Sequence, residues 1–280
     1  MKDVAERVLV LDGLRTALLE TGAGAAVGPP VLLLHGGAWG ESAGTTWGRV
    51  LELLGRERHV LAPDWLGFGG SAKVRDLADT AGFMLRHVAR LLEALDVSEV
   101  DAVGHSMGGA HLLRDLTTGR PVLPVRRAVL VAAGGPPISG EARARLDAYD
   151  GSLESMREQV RLAFADPRWA DDEQLVRRRH ELSLLPGAYE WFASLRLRPP
   201  GARPSPGDPT PYERVRVPTL VTAGSADPLK PAGYAEEVAR RIPGARLRLL
   251  DGAGHCPQLE AVEDWTTAVL DFLADKEIRP

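Results

Sequence analysis

With 280 residues, 44% of them apolar and 26% charged, the chain has the composition of an ordinary globular protein, enough for one large α/β domain with room for an inserted subdomain. A net charge of −4 gives no reason to expect nucleic acid or a membrane surface as a partner, and the single cysteine, Cys256, excludes an intramolecular disulfide and a cysteine-based metal cluster. The first seven residues carry acids and lack the layout of a signal peptide, and no apolar run is long enough to span a bilayer, so the cytoplasm is the expected location.

Val8–Leu11 and Thr16–Leu19 flank Asp12-Gly13, the signature of a β-hairpin. A small-residue loop, Gly22 to Pro30, leads to Val31–Leu34, a continuous apolar run of the kind found in strands covered on both faces. It ends in His35-Gly36-Gly37-Ala38-Trp39-Gly40, where glycines signal either a tight turn or a backbone that something approaches closely. Thr46–Leu54 can form a helix, His59–Ala62 a strand, and Asp79–Leu95 an amphipathic helix with Phe83, Val88, Leu91, Leu92 and Leu95 on one face. Val100–Val103 is a strand that runs into Gly104-His105-Ser106-Met107-Gly108-Gly109, with helix-compatible sequence from Ala110 to Leu116 beyond. Gly-x-Ser-x-Gly between strand and helix describes a sharp turn that lifts a serine hydroxyl off the end of a sheet. Arg127–Ala133 is a further buried strand.

From Ile138 to about Tyr212 the strand alternation stops. Ser152 can cap a helix carrying Leu153, Met156, Val160, Ala163 and Phe164, and Asp171-Asp172-Glu173 opens another with Leu175, Val176 and Leu182. Eleven arginines against twelve acids make this no basic patch, and prolines from Pro199 to Pro211 end it as a stiff linker. Strands resume at Pro218–Ala223 and Arg246–Leu250, with helices at Tyr234–Ile242 and Val262–Leu273. The expected organisation is a mostly parallel eight-stranded sheet with helices on both faces, formed by residues 1–136 and 213–280, with 137–212 as a helical cap.

The residues that carry chemistry fall after strands. Serine is a weak nucleophile that needs a neighbouring imidazole to take its proton, and the imidazole needs a carboxylate to fix its tautomer. Ser106, His255 and Asp227 are the candidates, with Asp251 a competing acid; no carboxylate follows the strand ending at Ala133. Backbone N–H groups of Gly37 and Met107 are the candidate oxyanion donors. His105 and His35 read as structural, and no histidine–carboxylate spacing suggests a metal site.

The order Ser106, Asp227, His255 resembles the α/β-hydrolase superfamily, whose triad runs serine, acid, histidine, and the resemblance covers nearly the whole chain. Within it the chain is most similar to the meta-cleavage-product hydrolases, which cleave carbon–carbon bonds in 2-hydroxy-6-oxo-dienoates. The likeness rests on His35-Gly36-Gly37, on Pro63-Asp64-Trp65-Leu66-Gly67-Phe68-Gly69, on Ser106-Met107-Gly108-Gly109 and on the cap. It implies a cap arginine that holds a substrate carboxylate. Distance from Pro186-Gly187 matches this to Arg178, which shares a helix face with Leu175 and Leu182; the alternative is an arginine snorkelling from the edge of the cap. The chain departs from the family's His-Gly-Gly-Gly-Pro-Gly at Ala38 and Trp39, from its asparagine before the nucleophile at His105, and from its tryptophan after the catalytic histidine at Cys256. Trp39 and Cys256 are therefore expected to line a pocket of altered specificity.

The expectation is a serine hydrolase acting on a small, partly apolar ester or vinylogous carbonyl compound, either a carboxylesterase or a carbon–carbon hydrolase. It needs no cofactor, its partner is the small-molecule substrate, and a homodimer is left open. The alternatives are a cofactor-free haloperoxidase or perhydrolase, and a ligand receptor built on a hydrolase scaffold.

Overall fold

The computed structural model describes residues 4–24, 28–195, 197 and 207–275. Strands β1 (Ala5–Leu11) and β2 (Leu14–Thr21) pair antiparallel around Asp12 and Gly13, whose φ values of 49° and 79° give a turn with the twist of the flanking strands. Both strands run beyond the apolar runs that mark them, because exposed Glu6, Arg7 and Arg15 continue the extended backbone without an apolar signal.

The remaining strands are β3 (Val31–Leu34), β4 (Val60–Pro63), β5 (Val100–His105), β6 (Val125–Val131), β7 (Thr219–Gly224) and β8 (Arg246–Leu250). They complete one eight-stranded sheet of order β1-β2-β4-β3-β5-β6-β7-β8. Only the pairings of β2 with β1 and β4 are antiparallel. The chain thus forms the mostly parallel sheet expected of it. Helices α2 (Thr80–Ala94), α3 (Met107–Leu116) and α8 (Tyr234–Arg241) pack into a core on one face, and α1 (Ala43–Gly55) and α10 (Val262–Ala274) into a core on the other. Helix α1 starts one turn earlier than its apolar pattern predicts, since a reciprocal Ser42–Thr45 capping box forms its first turn.

Strand β4 lies on one side of β3 and β5 on the other, so the direction of travel across the sheet reverses between them. At such a point the loops leaving the carboxyl ends of neighbouring strands diverge and open a crevice. The loops here are His35–Gly40 after β3 and the turn at Ser106 after β5.

Between β6 and β7 the chain forms α4 (Gly140–Asp147), α5 (Leu153–Ala163), α6 (Glu173–Ser183) and α7 (Ala188–Ser194). The Ser152 hydroxyl accepts the Ser155 N–H at 3.1 Å and the Asp172 carboxylate accepts the Leu175 N–H at 3.0 Å, the caps read from sequence. Helices α4 and α7 were not foreseen: α4 buries no side chain, and α7 is only seven residues long, so neither has a legible apolar period. Met156, Val160, Phe164 and Val176 form the cap's own core with Trp39, Leu229 and Cys256 from loops of the sheet. Pro199, Pro200, Pro204 and Pro206 of the expected linker lie outside the described residues. A short helix, α9 (Pro257–Glu260), follows the loop after β8. Among the described residues no helix is long and apolar enough to cross a membrane.

Candidate active site

The turn after β5 is dictated by close backbone packing. A Cβ on Gly104 would stand 2.6 Å from the Gly109 backbone, one on Gly108 would stand 2.3 Å from the Leu34 carbonyl oxygen, and one on Gly109 would meet the Gly104 carbonyl at 2.6 Å. No side chain fits at any of the three. Ser106 between them adopts φ 48°, ψ −110°, a conformation that costs a non-glycine residue on the order of 1–3 kcal/mol. Its N–H donates to the Val131 carbonyl at 2.8 Å, and its own carbonyl accepts the Ala110 N–H at 2.9 Å, which fixes the turn between sheet and helix.

Two loops bring their side chains to this serine. Asp227 follows β7 and His255 follows β8. His255 Nε2 lies 2.9 Å from Ser106 Oγ, and His255 Nδ1 lies 2.8 Å from Asp227 Oδ2. The bonds are mutually consistent when Nδ1–H donates to the carboxylate and Nε2 accepts the serine O–H. The Asp227 and His255 side chains are almost wholly buried. Burial pushes the Asp227 carboxyl up, but His255, the Leu229 N–H and the Lys230 ammonium outweigh it and hold the group below the ordinary range. Asp251, the competing acid, is exposed and bonds Ser225 Oγ instead.

The two structural histidines brace this arrangement. His35 Nε2 accepts the Trp65 N–H at 3.0 Å, so its Nδ1 carries the proton and donates to the Gly36 carbonyl at 2.7 Å. His105 Nε2 donates to the His255 backbone carbonyl at 2.9 Å, tying the elbow to the loop that carries the imidazole. Burial keeps His105 neutral, lowering its pKa to about 4. The loop is also tied to the cap: the His255 N–H donates to the Ala163 carbonyl at 2.9 Å, and Glu260 accepts the N–H groups of both Gly254 and Ala165. Gly37 and Met107, the candidate oxyanion donors, are in direct contact, since a Cβ on Gly37 would stand 2.4 Å from Met107 Sδ. Met107 opens helix α3, where N–H groups without intrahelical partners and the helix dipole favour negative charge.

These residues sit at a cavity of about 570 Å³ between sheet and cap, lined by Gly37, Trp39, Ser106, Met107, His255 and Cys256 together with largely apolar side chains. Trp39 stacks on Phe192 with ring centroids 3.8 Å apart, and burial pushes the Cys256 thiol pKa up. Arg178 is not there. It is exposed and lines a separate groove with Leu175 and Leu182. Arg179, one residue on, is buried, and its Nε and Nη2 donate to the Trp39 carbonyl at 3.2 and 2.9 Å. The reason is rotational: Val176, Arg179 and Ser183 repeat the spacing of Leu175, Arg178 and Leu182 one residue later, and the buried face of α6 includes the later set.

Sequence reasoning also missed two polar groups on the cavity wall. Glu41 is 7% exposed, and its Oε2 accepts the Ala38 N–H at 3.0 Å. Gln159 is 2% exposed, its Nε2 donates to the Arg145 carbonyl at 3.1 Å, and its Oε1 has no partner. Glu41 comes directly after the glycine loop, which was a signal; Gln159 offered none.

The model of the alpha/beta hydrolase family matches residues 31–269 of the chain. The 2-hydroxymuconate semialdehyde hydrolase of Pseudomonas sp. strain CF600 is 32% identical over 276 residues, covering 97% of this chain and 94% of that protein. The 2-hydroxy-6-oxo-2,4-heptadienoate hydrolase of Pseudomonas putida strain F1 is 33% identical over 278 residues, covering 97% of each. Among solved structures, a serine hydrolase involved in carbazole degradation superposes with a TM-score of 0.79 at 28% identity, covering 97% of this chain and 99% of its own.

Proposed function

The chain belongs to the alpha/beta hydrolase family, and from that premise we propose that it hydrolyses a small, largely apolar carbonyl compound through Ser106, His255 and Asp227, with carbon–carbon cleavage of a meta-cleavage-type product as the leading reaction. The observation that carries the proposal is the unbroken run of contacts from Asp227 Oδ2 through His255 to Ser106 Oγ, at 2.8 and 2.9 Å, which ends on the wall of the cavity at His255 and Ser106. The relatives' names support the carbon–carbon reaction in particular.

In this reading Ser106 Oγ attacks the carbonyl carbon as His255 Nε2 takes its proton, and Asp227 stabilises the imidazolium that forms. The N–H groups of Gly37 and Met107 receive the developing oxyanion, each worth a few kcal/mol in the transition state (about 3). As the tetrahedral intermediate collapses, His255 returns the proton to the leaving group. A carbon leaves only as a delocalised anion, so the bond broken has to lie next to a conjugated carbonyl system; an alcohol leaves from an ester by the same steps. Water, activated by His255, then releases the acyl group from Ser106.

Ester hydrolysis is the second reading, and one observation favours it. The cap arginine beside the site, Arg179, is bound to the Trp39 carbonyl, which leaves it less available to a substrate carboxylate. Paired assays separate the two. A 2-hydroxy-6-oxo-dienoate loses its yellow dienolate absorbance if the carbon–carbon reaction is correct, and p-nitrophenyl acetate alone is turned over if it is not. Neither being hydrolysed, or both being hydrolysed equally by Ser106→Ala, overturns the proposal.

A further inference from the structure

We propose that Lys230 is a specificity-determining residue: its ammonium, held on the cavity wall between the loops after β6 and β7, takes a carboxylate of the ligand. The inference rests on the reading of this cavity as the substrate site and deepens it, since a dienoate carries such a group and a simple ester lacks it.

The other cations at the cavity are engaged. Arg143 is held by Asp147 through two bonds of 3.0 and 2.7 Å. Arg179 gives Nε and Nη2 to the Trp39 carbonyl and stands beside Glu41 as its countercharge. Lys230 differs from both. Its Nζ donates to the Gly134 carbonyl at 2.7 Å and to the Pro136 carbonyl at 2.9 Å, which are neutral acceptors, and no carboxylate among the described residues forms an ion pair with it. The Tyr234 ring, its centroid 5.4 Å from Nζ, attracts the charge without offering an acceptor atom. An ammonium has three N–H donors, so one is left for a ligand.

The neighbouring acids are committed elsewhere. Asp227 accepts the Leu229 N–H on Oδ1 and bonds His255 Nδ1 through Oδ2. Asp208, which also lines the cavity, accepts the Thr210 N–H on Oδ1 and the Tyr212 hydroxyl on Oδ2, and lies 3.5 Å from Arg241. Glu41 belongs to the loop after β3, where it accepts the Ala38 N–H, and the fields that act on Lys230 are those of Asp227 and Asp208. Burial outweighs those two fields and lowers the Lys230 pKa from the ordinary lysine value, so the charge is incompletely compensated where it stands. A ligand carboxylate supplies both missing parts, a countercharge and an acceptor for the third N–H. A hydroxyl supplies only the acceptor.

The test uses two ligands of one shape, 3-phenylpropionate and 3-phenylpropanol, titrated calorimetrically into the full-length protein at neutral pH. The acid is expected to bind about tenfold more tightly than the alcohol, the span of one hydrogen bond to a charged group. Lys230→Met removes the charge and keeps an unbranched stem, and should bring the two ligands within about threefold by weakening the acid alone. If Lys230→Met does not fold, Lys230→Gln keeps a donor for the loop carbonyls without the charge and should give the same result. A lysine that only clamps the loop after β6 would, when replaced, weaken both ligands equally. That outcome overturns the inference, as does an undiminished preference for the acid in the folded variant, or an acid that binds the parent protein no more tightly than the alcohol. Because binding is measured without turnover, its failure is distinct from failure of the catalytic reading, which Ser106→Ala tests.

Discussion

The wall of the cavity that carries Ser106 and the wall that carries Glu41 and Gln159 are built on different physics. On the first, the backbone leaves no choice: three glycines are packed to within 2.6 Å of where their side chains would begin, and Ser106 is strained in place between them. On the second, ordinary loop and helix positions present side chains whose identity the backbone does not dictate. The proposed chemistry is thus held by the fold, and the lining of the cavity by a few replaceable side chains.

Substitutions put that contrast to the test, most severely at Ser106. Ser106→Ala should lower kcat by about 10⁶-fold in a stopped-flow or continuous ester assay, with the protein still folded by circular dichroism. Asp227→Asn should lose about 10⁴-fold, since the amide favours the wrong imidazole tautomer; a loss under tenfold would show that another group orients His255. Gly108→Ala adds a single methyl group 2.3 Å from a carbonyl oxygen and should lower stability by about 3 kcal/mol, measured by urea unfolding. Arg179→Met removes the charge that offsets buried Glu41 and should also cost about 3 kcal/mol, again measured by urea unfolding. The smallest effect belongs to Arg178→Ala. It should stay within about 0.5 kcal/mol of the parent and leave KM unchanged, because the residue is exposed and away from the cavity.

The same division explains what could be read from the chain before its structure. The mostly parallel sheet follows from continuous apolar runs alternating with amphipathic helices, and the elbow from glycines whose spacing a tight strand-to-helix turn requires. Asp227 and His255 were legible because each follows a strand, in the order serine, acid, histidine that the resemblance to the α/β-hydrolases implies. Arg179 was not, because Leu175, Arg178, Leu182 and Val176, Arg179, Ser183 are equally good stripes on α6, and one step of about 100° decides between them. What decides it is a long-range contact. Gly40, with φ 67°, approaches the backbone of Arg179 so closely that a Cβ would stand 1.9 Å from its carbonyl oxygen. Glu41, the next residue, lines the cavity beside it, and its one announcement in the sequence is the glycine loop that it follows.

The bonds between the cap and the histidine loop bear on how exchangeable the parts of this protein are. Ala163 supplies a carbonyl to the His255 N–H, and Glu260 grips Gly254 and Ala165 together. Burial pushes the Glu260 carboxyl pKa up, and these N–H donors counter that push only in part. A chimera that replaced the insertion with another hydrolase's would leave the imidazole's loop short of a backbone acceptor and a buried carboxylate short of a donor, at about 1–3 kcal/mol for each group left unsatisfied. Helix α4 buries no side chain of its own, yet its Arg145 and Leu146 carbonyls accept Gln159 Nε2 at 3.1 Å and Trp39 Nε1 at 3.3 Å, while Arg143, Leu146 and Asp147 reach the cavity from it. Side-chain changes on α4 that leave its backbone in place would therefore be tolerated more readily than exchange of the helix, and new ligand ranges should arise that way rather than by exchanging the whole insertion.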